Sequence, residues 1–445
     1  MFAAMDLEEA VRAGDAERVR ELLAAGADPD TAGGDGLPVL CAAVAAYAVE
    51  TIRVLVEGGA DPDRRLPDGT TPLLRAVEGG SPAVWGAFLY SESGERLSQA
   101  ERARLLEAAR HWYETGAEAE LRRLTGAQGP ARTGIVRDGE SDRVEEVTLG
   151  GRTVRAGHGA VLTRMEWEFR ILTPVEELVD RAVRYEDEDH VDRQAARWIF
   201  VLRQGAETWS RVVDHHRHLS PAHRAFVAQF LRLGELMTDV IVNARWYRER
   251  LEVLLPDWAD AEPDGGVLAL VLGLLGDQGH PQTRAFGLRY AGHPDPRVRR
   301  RVPQMFDQPL DPVTARAVRD LGRDTDGGVR AMAADTLGSE DELGEGDRTL
   351  MLALLRDGDP EVRRSAAYGT ARGRDCSPEV TEALVELLDA DEQELRLSAA
   401  YGLAGRDDPR TPEAYARVGP LGPELESDPR ADGLRRWSLR NEPTG

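Results

Sequence analysis

Gly26-Ala27-Asp28-Pro29-Asp30 returns, 33 residues later, as Gly59-Ala60-Asp61-Pro62-Asp63. The same offset carries Val19-Arg20-Glu21-Leu22-Leu23 onto Ile52-Arg53-Val54-Leu55-Val56, and Asp35-Gly36 onto Asp68-Gly69. Leu40, Ala43 and Val44 likewise map onto Leu73, Ala76 and Val77. A fixed period of this length means stacked supersecondary units and not one globular core. Each unit reads as an amphipathic helix ended by a left-handed glycine, Gly26 or Gly59. Asp-Pro cannot continue that helix, Asp-Gly makes a tight turn, and a second helix follows. Thr71-Pro72-Leu73 opens one such helix, with threonine as cap and proline at the first helical position.

Thr71-Pro72-Leu73-Leu74-Arg75-Ala76 resembles the T-P-L-H-x-A signature of ankyrin repeats, with Pro38-Val39-Leu40-Cys41-Ala42-Ala43 as a degenerate copy. The histidine of the signature is missing from both. Three units over residues 5–90 and a closing helix near Ser98–Tyr113 make a short stack. The resemblance implies that the fingers Gly33-Gly34-Asp35-Gly36 and Arg64-Arg65-Leu66-Pro67-Asp68-Gly69 carry partner contacts, with Arg64, Arg65 and Leu66 as candidates.

Between Gly129 and Leu172 the pattern changes. Val144–Leu149 and Arg152–Ala156 flank Gly150-Gly151, a two-residue hairpin signal. From Arg164 to Ile171 apolar Met165, Trp167, Phe169 and Ile171 alternate with charged residues, which predicts a half-buried strand. Trp167 then reads as core, and the small sheet as a cap on the first repeats.

Thr173-Pro174-Val175-Glu176 reads as a capping box opening a helical region. Within it, Asp359-Pro360-Glu361-Val362-Arg363-Arg364-Ser365-Ala366-Ala367-Tyr368-Gly369 recurs 33 later as Glu394-Leu395-Arg396-Leu397-Ser398-Ala399-Ala400-Tyr401-Gly402. Val329-Arg330-Ala331 and Asp295-Pro296-Arg297-Val298-Arg299 are earlier copies. This is similar to HEAT repeats of the bacterial type first labelled from phycobilisome lyases, over about residues 173–440. The resemblance implies an internal ladder, Asp324 to Arg330 and Asp357 to Arg363. Tyr368 and Tyr401 hold equivalent places off the Val362/Ala366 and Leu395/Ala399 stripes, and with Arg364 make a candidate interface set.

The 445 residues include 56 Lys+Arg, every one arginine, against 79 Asp+Glu, a formal charge of −23. An acidic excess opposes general binding to nucleic acid or anionic membranes. Absence of lysine fits a high-GC bacterial genome, where such repeat combinations resemble known types. The amino end carries no basic leader and no run is long and apolar enough to span a membrane, so a cytoplasmic location is expected. Cys41 and Cys376 fall in apolar repeat segments and read as buried packing residues, with no disulfide or zinc pattern. Asp214-His215-His216-Arg217-His218 places His215 and His218 on one helical face, also shared by Asp214, a weak metal candidate. The stronger reading sets these imidazoles against carbonyls at a helix end. Glu186–Asp189 with Asp192 lacks calcium-loop spacing and reads as a linker and cap. Arg297, Arg299, Arg300 and Arg301 form the one basic stretch.

No serine-elbow, phosphate-loop or zincin motif is found. The sequence therefore predicts a mostly α protein, an α-solenoid of ankyrin repeats (1–115), a linker and small β insert (116–172) and HEAT-like repeats (173–445). It predicts no enzyme and no cofactor, and protein–protein binding as an adaptor or regulator. The alternative is a HEAT-like nucleic-acid-binding or glycosylase-like DNA-repair protein.

Overall fold

The computed structural model describes residues 2–89, 97–140, 142–203, 205–236, 244–422 and 424–441. The chain is mostly helical and forms two compact units, Met1–Phe230 and Leu231–Gly445. The expected boundary after residue 172 thus falls inside the first unit.

In the first unit, helix pairs follow the 33-residue period: α1 (Phe2–Ala13) with α2 (Ala16–Ala24), α3 (Val39–Ala45) with α4 (Val49–Glu57), and α5 (Pro72–Gly79) with α6 (Pro82–Leu89). Helix α7 (Gln99–Thr115) closes them, opened by a complete Ser98/Glu101 capping box. Leu7, Val19, Leu40, Ile52, Leu55, Leu73, Val77, Trp85 and Phe88 build one continuous core. Burial of so many large apolar groups, each worth ~1.5–3 kcal/mol, is what drives the stacking. The repeated aspartates do the same work in both copies. Asp28 accepts from the Asp30 amide at 2.9 Å and Asp61 from the Asp63 amide at 3.0 Å, while Asp30 reaches across to the Asp61 amide at 2.9 Å. Gly26 and Gly59 take φ of 93° and 96°, the left-handed stops that the sequence called for.

Helix α8 (Ala117–Thr125) leads to an antiparallel sheet of order β1-β2-β3: β1 (Arg132–Arg137), β2 (Arg143–Leu149) and β3 (Arg152–Arg155). The β2–β3 turn is Gly150-Gly151, both at positive φ, as a primed turn demands. Val147, Leu149 and Val154 pack on Trp112 of α7 and on Ala117 and Leu121 of α8. Gly80 ends α5 at φ 68°, where a Cβ would lie 2.0 Å from the Arg155 carbonyl oxygen, so only glycine lets the end of β3 approach.

The stretch expected as a strand is helical: α9 spans His158–Glu168. Met165 and Glu166 are both buried, Trp167 and Phe169 are half-buried, and Ile171 is exposed. The alternation failed because a charged residue is inside. Glu166 accepts from Arg181 at 2.7 and 3.2 Å and from Thr173 Oγ1 at 2.7 Å, and Arg181 is fully buried. Thr173 is thereby diverted, and the capping box expected there does not form; α10 (Val175–Ala182) begins from Pro174 without a side-chain cap. The Asp192 carboxylate caps the other end of α9, accepting from the Ala160 amide at 2.7 Å. Asp192 lies in α11 (Val191–Arg203), which α12 (Ala206–Asp214) and α13 (Pro221–Leu236) follow.

The second unit continues with α14 (Ala244–Ala261), α15 (Gly265–Asp277), α16 (Thr283–Tyr290), α17 (Pro296–Arg301), α18 (Pro312–Leu321), α19 (Gly327–Gly338), α20 (Glu345–Leu354), α21 (Pro360–Arg372), α22 (Pro378–Leu387), α23 (Gln393–Gly405), α24 (Thr411–Val418) and α25 (Pro429–Asn441). Asp264, Asp295, Asp311, Asp326 and Asp359 cap α15, α17, α18, α19 and α21 with their side chains. Helices α15, α17, α19, α21, α23 and α25 form one layer of successive neighbours. Gly338 and Gly369 mark the tightest crossing, where a Cβ on Gly369 would stand 2.7 Å from the Asp335 carbonyl oxygen.

Arg181→Ala leaves Glu166 buried without its main cation. It is expected to cost about 3–5 kcal/mol in urea denaturation followed by far-UV dichroism. A second test uses pH. Burial pushes the Asp192 carboxyl up to about 7, so the folded state holds a proton that the unfolded state releases. The stability it supports is full below the ordinary carboxylate range and is lost as pH rises towards 7. Asp192→Asn is therefore expected to gain melting temperature relative to the parent as pH climbs from about 4 to 7. His158, buried and pushed down to about 4, acts in the opposite sense, its contribution falling as pH drops below about 6.5 in both proteins.

Candidate functional site

The most ordered polar feature of the second unit repeats with the helices. Arg299 donates to the His293 and Pro294 carbonyls at 2.8 and 2.9 Å and clamps both oxygens of Asp324 at 2.6 and 2.8 Å. Arg330 donates to the Asp324 and Thr325 carbonyls at 3.0 and 3.3 Å and to both Asp357 oxygens at 2.9 Å. Arg363 takes the Asp357 and Gly358 carbonyls at 2.9 and 3.3 Å, and then Glu392 at 3.3 Å. Arg396 ends the series on the Ala390 and Asp391 carbonyls.

The expected ladder is therefore present with a different wiring. Asp324 and Asp357 offer their backbone carbonyls to the arginine six residues on, while their carboxylates pair with the arginine of the preceding repeat. Those arginines hold both carboxyls below the usual carboxylate range. Arginine suits the task because its planar fork serves a carboxylate and two carbonyls at once.

The predicted interface residues fall on α21 and α23 already partnered. Arg364 pairs with Glu392 at 3.1 Å and Glu394 at 3.9 Å. Tyr368 is half-buried between the guanidinium groups of Arg372 and Arg430, at 4.7 and 5.0 Å from its ring centroid. Tyr401 is half-buried and packs against Gly433, where a Cβ would clash with its ring at 2.4 Å. In the first unit Arg64 and Arg65 are exposed at the finger, Arg64 donating to the Asp30 carbonyl at 3.2 Å. Leu66 is not at the surface. It is 6% exposed, because the turn closed by the Leu66–Thr70 and Gly69–Leu66 backbone bonds folds it inward.

The histidines are not on one helical face. Helix α12 stops at Asp214, which is exposed, and a 3-10 turn spans His215–Arg217. His215 donates to the Arg211 carbonyl at 2.9 Å and His216 to the Val213 carbonyl at 2.6 Å. The His218 and His223 rings stack at 3.9 Å, and His223 donates to Asp180 at 2.9 Å. Desolvation and the adjacent imidazoles push His218 below its ordinary value. Among the described residues no three His, Cys, Asp or Glu side chains converge as a metal site.

Cys41 is buried in α3, and burial pushes its thiol up. Cys376 is exposed in the turn before α22, contrary to expectation, because the apolar positions resume only after Ser377-Pro378. In the acidic run Asp187 and Asp189 both accept from Arg143 of β2, at 2.7 and 2.9 Å, while Asp192 turns inward. The basic stretch is largely neutralised: Arg297 pairs with Asp295, Arg299 with Asp324 and Arg300 with Glu361. No helix among the described residues is long and apolar enough to cross a membrane.

Asp357→Ala removes the carboxylate from Arg330 and leaves the backbone bond to Arg363 intact. It is expected to destabilise the second unit by about 1.5–3 kcal/mol in urea titration. Arg330→Lys in the parent chain should retain only a small part of the pairing with Asp357, since lysine cannot make the fork.

A family model described as ankyrin repeats (3 copies) matches residues 7–95, and a HEAT-repeat model matches residues 348–417. No curated protein matches the sequence. Among solved structures, the crystal structure of YibA from Escherichia coli is similar at 16% identity and a TM-score of 0.40, covering 60% of this chain and 98% of that one. The chain thus carries ankyrin repeats near its amino end and HEAT repeats towards its carboxyl end.

Proposed function

We propose that this chain is a non-catalytic repeat scaffold that binds another protein, acting as an adaptor or regulator in a bacterial cytoplasm. Both repeat families typically serve protein interaction, and the two stacks present helix edges and finger turns at regular intervals. The observation that carries the reading is the arginine ladder. It spends the strongest polar groups of α17, α19 and α21 on joining one repeat to the next. A surface held in this way loses little conformational freedom on binding, which is the general route to affinity without a reactive site. In the first unit Arg64 and Arg65 stand exposed at the finger between the second and third helix pairs, ready for an acidic partner surface. Arg364, Tyr368 and Tyr401 extend the proposal to the second unit, on α21 and α23.

The test is affinity capture on the immobilised full chain, purification of the protein recovered, and calorimetric titration. Arg64→Glu with Arg65→Glu is expected to weaken a stoichiometric complex roughly tenfold or more, with the melting temperature little changed. Absence of any stoichiometric protein complex would refute the scaffold reading. Binding indifferent to the double variant would remove the finger from it.

A further inference from the structure

In the second unit a cleft of about 630 Å³ opens beside the carboxyl ends of α15, α17, α19 and α21. Its lining is mainly polar, with only the edges of Met305 and Phe306 reaching the surface and Leu272 fully buried beneath them. Three arginines reach it, and two are committed. Arg372 donates to Asp335 at 2.9 Å and to the Ser339 hydroxyl at 2.6 Å. Arg232 lies 3.7 Å from Asp277. Arg301 is different. Its guanidinium is half-buried and makes no hydrogen bond or ion pair among the described residues, although the three other arginines of α17 are all paired.

Arg232 and Arg301 stand close enough to repel each other, and Asp277, which lies 3.7 Å from Arg232, attracts both. Burial and that repulsion push Arg301 below its ordinary value, so the ion is held at a cost that an incoming anion would relieve. Access is open on the α15 side. A Cβ on Gly276 would meet nothing within 4 Å, and one on Gly273 would only graze the Arg301 guanidinium at 3.9 Å.

The geometry points to a binding site for an acidic side chain of a partner polypeptide, glutamate or aspartate. Arg301 makes the two-pronged pair, and an apolar neighbour of the acid rests on the exposed edges of Met305 and Phe306. The charge balance selects the class. Asp277, Asp307 and Asp335 balance the three arginines of the cleft, so it offers the open fork of Arg301 and no net positive charge, and a monoanionic carboxylate fits better than a phosphate dianion. A planar carboxylate also matches the guanidinium fork, and the edges of Met305 and Phe306 add a contact that a free small anion would not use. The choice of a polypeptide rests on the scaffold reading, while the site itself is distinct from the finger; Tyr368 does not line it, although its ring lies against Arg372, which does.

The experiment is selection of a random heptapeptide phage library on the full chain, then titration of a synthetic peptide from the winning sequences. Enriched peptides are expected to carry Asp or Glu within two positions of Leu, Phe or Met. Arg301→Gln in the protein, or Glu→Gln in the peptide, should each weaken binding roughly tenfold or more, and the two together should cost little beyond either alone. Gly276→Glu places a carboxylate in open space beside Arg301. It should abolish peptide binding while leaving the melting temperature unchanged or higher, which separates loss of the site from loss of the fold. No enrichment, enrichment without an acid, or binding indifferent to Arg301→Gln would overturn the proposal. So would inorganic phosphate that binds through Arg301 more tightly than the peptide. Arg64→Glu with Arg65→Glu should leave peptide binding intact. Failure of the finger with survival of the cleft, or the reverse, therefore tells the two readings apart.

Discussion

One side chain per repeat holds the second unit in register. Arg299, Arg330, Arg363 and Arg396 recur at intervals of 31, 33 and 33 residues. Each ties down the loop that precedes its own helix, and the first three also grip an acid of the next repeat. The carbonyls they satisfy would otherwise be left at a turn between helices, where an unmet acceptor is costly. Stacking then needs only small residues at the crossings. Gly338 and Gly369 meet almost backbone to backbone, a distance that no side chain would permit.

Arginine is well matched to this architecture. A lysine in place of Arg330 would bring a point charge that cannot serve two carbonyls and both oxygens of a carboxylate with a fixed fork. The acidic excess is placed in the same way. Asp264, Asp295, Asp311, Asp326 and Asp359 sit at helix starts, and Asp324 and Asp357 in the bridges. The fold itself uses these carboxylates, so the acidic excess behind the net charge of −23 says less about a partner than its size suggests. Against that background Arg301, half-buried and without a bonded partner among the described residues, stands out, since the fold pairs its three neighbours on α17.

The local signals were legible wherever a residue acts within its own turn. Gly26 and Gly59 stop helices, Thr71 caps α5, Gly150-Gly151 turns the hairpin, and Ser98 opens α7. Reading failed where a polar side chain finds a distant partner. The alternation from Arg164 to Ile171 looked like a strand because Glu166 was taken as solvent-facing, and its cation lies fifteen residues on in α10. Thr173 had a capping role available and surrendered it to that same Glu166. Leu66 sits in an exposed finger by number and in the core by the twist of its turn. For Asp324 and Asp357 the six-residue spacing was correct, but spacing cannot say that the carbonyl, not the carboxylate, meets the following arginine.

By itself, then, the sequence determined the periodicity: two sets of repeats, their helix starts and stops, and the hairpin between them. Those depend on backbone preferences and on capping within three or four residues, which any short window contains. The tertiary structure decided which charges are spent and which are left. Pairing of Arg299 with Asp324, burial of Glu166 with Arg181, and isolation of Arg301 all depend on which helix lies against which. An electrostatic partner is set by distance in space, and the distances appear only once the repeats have stacked.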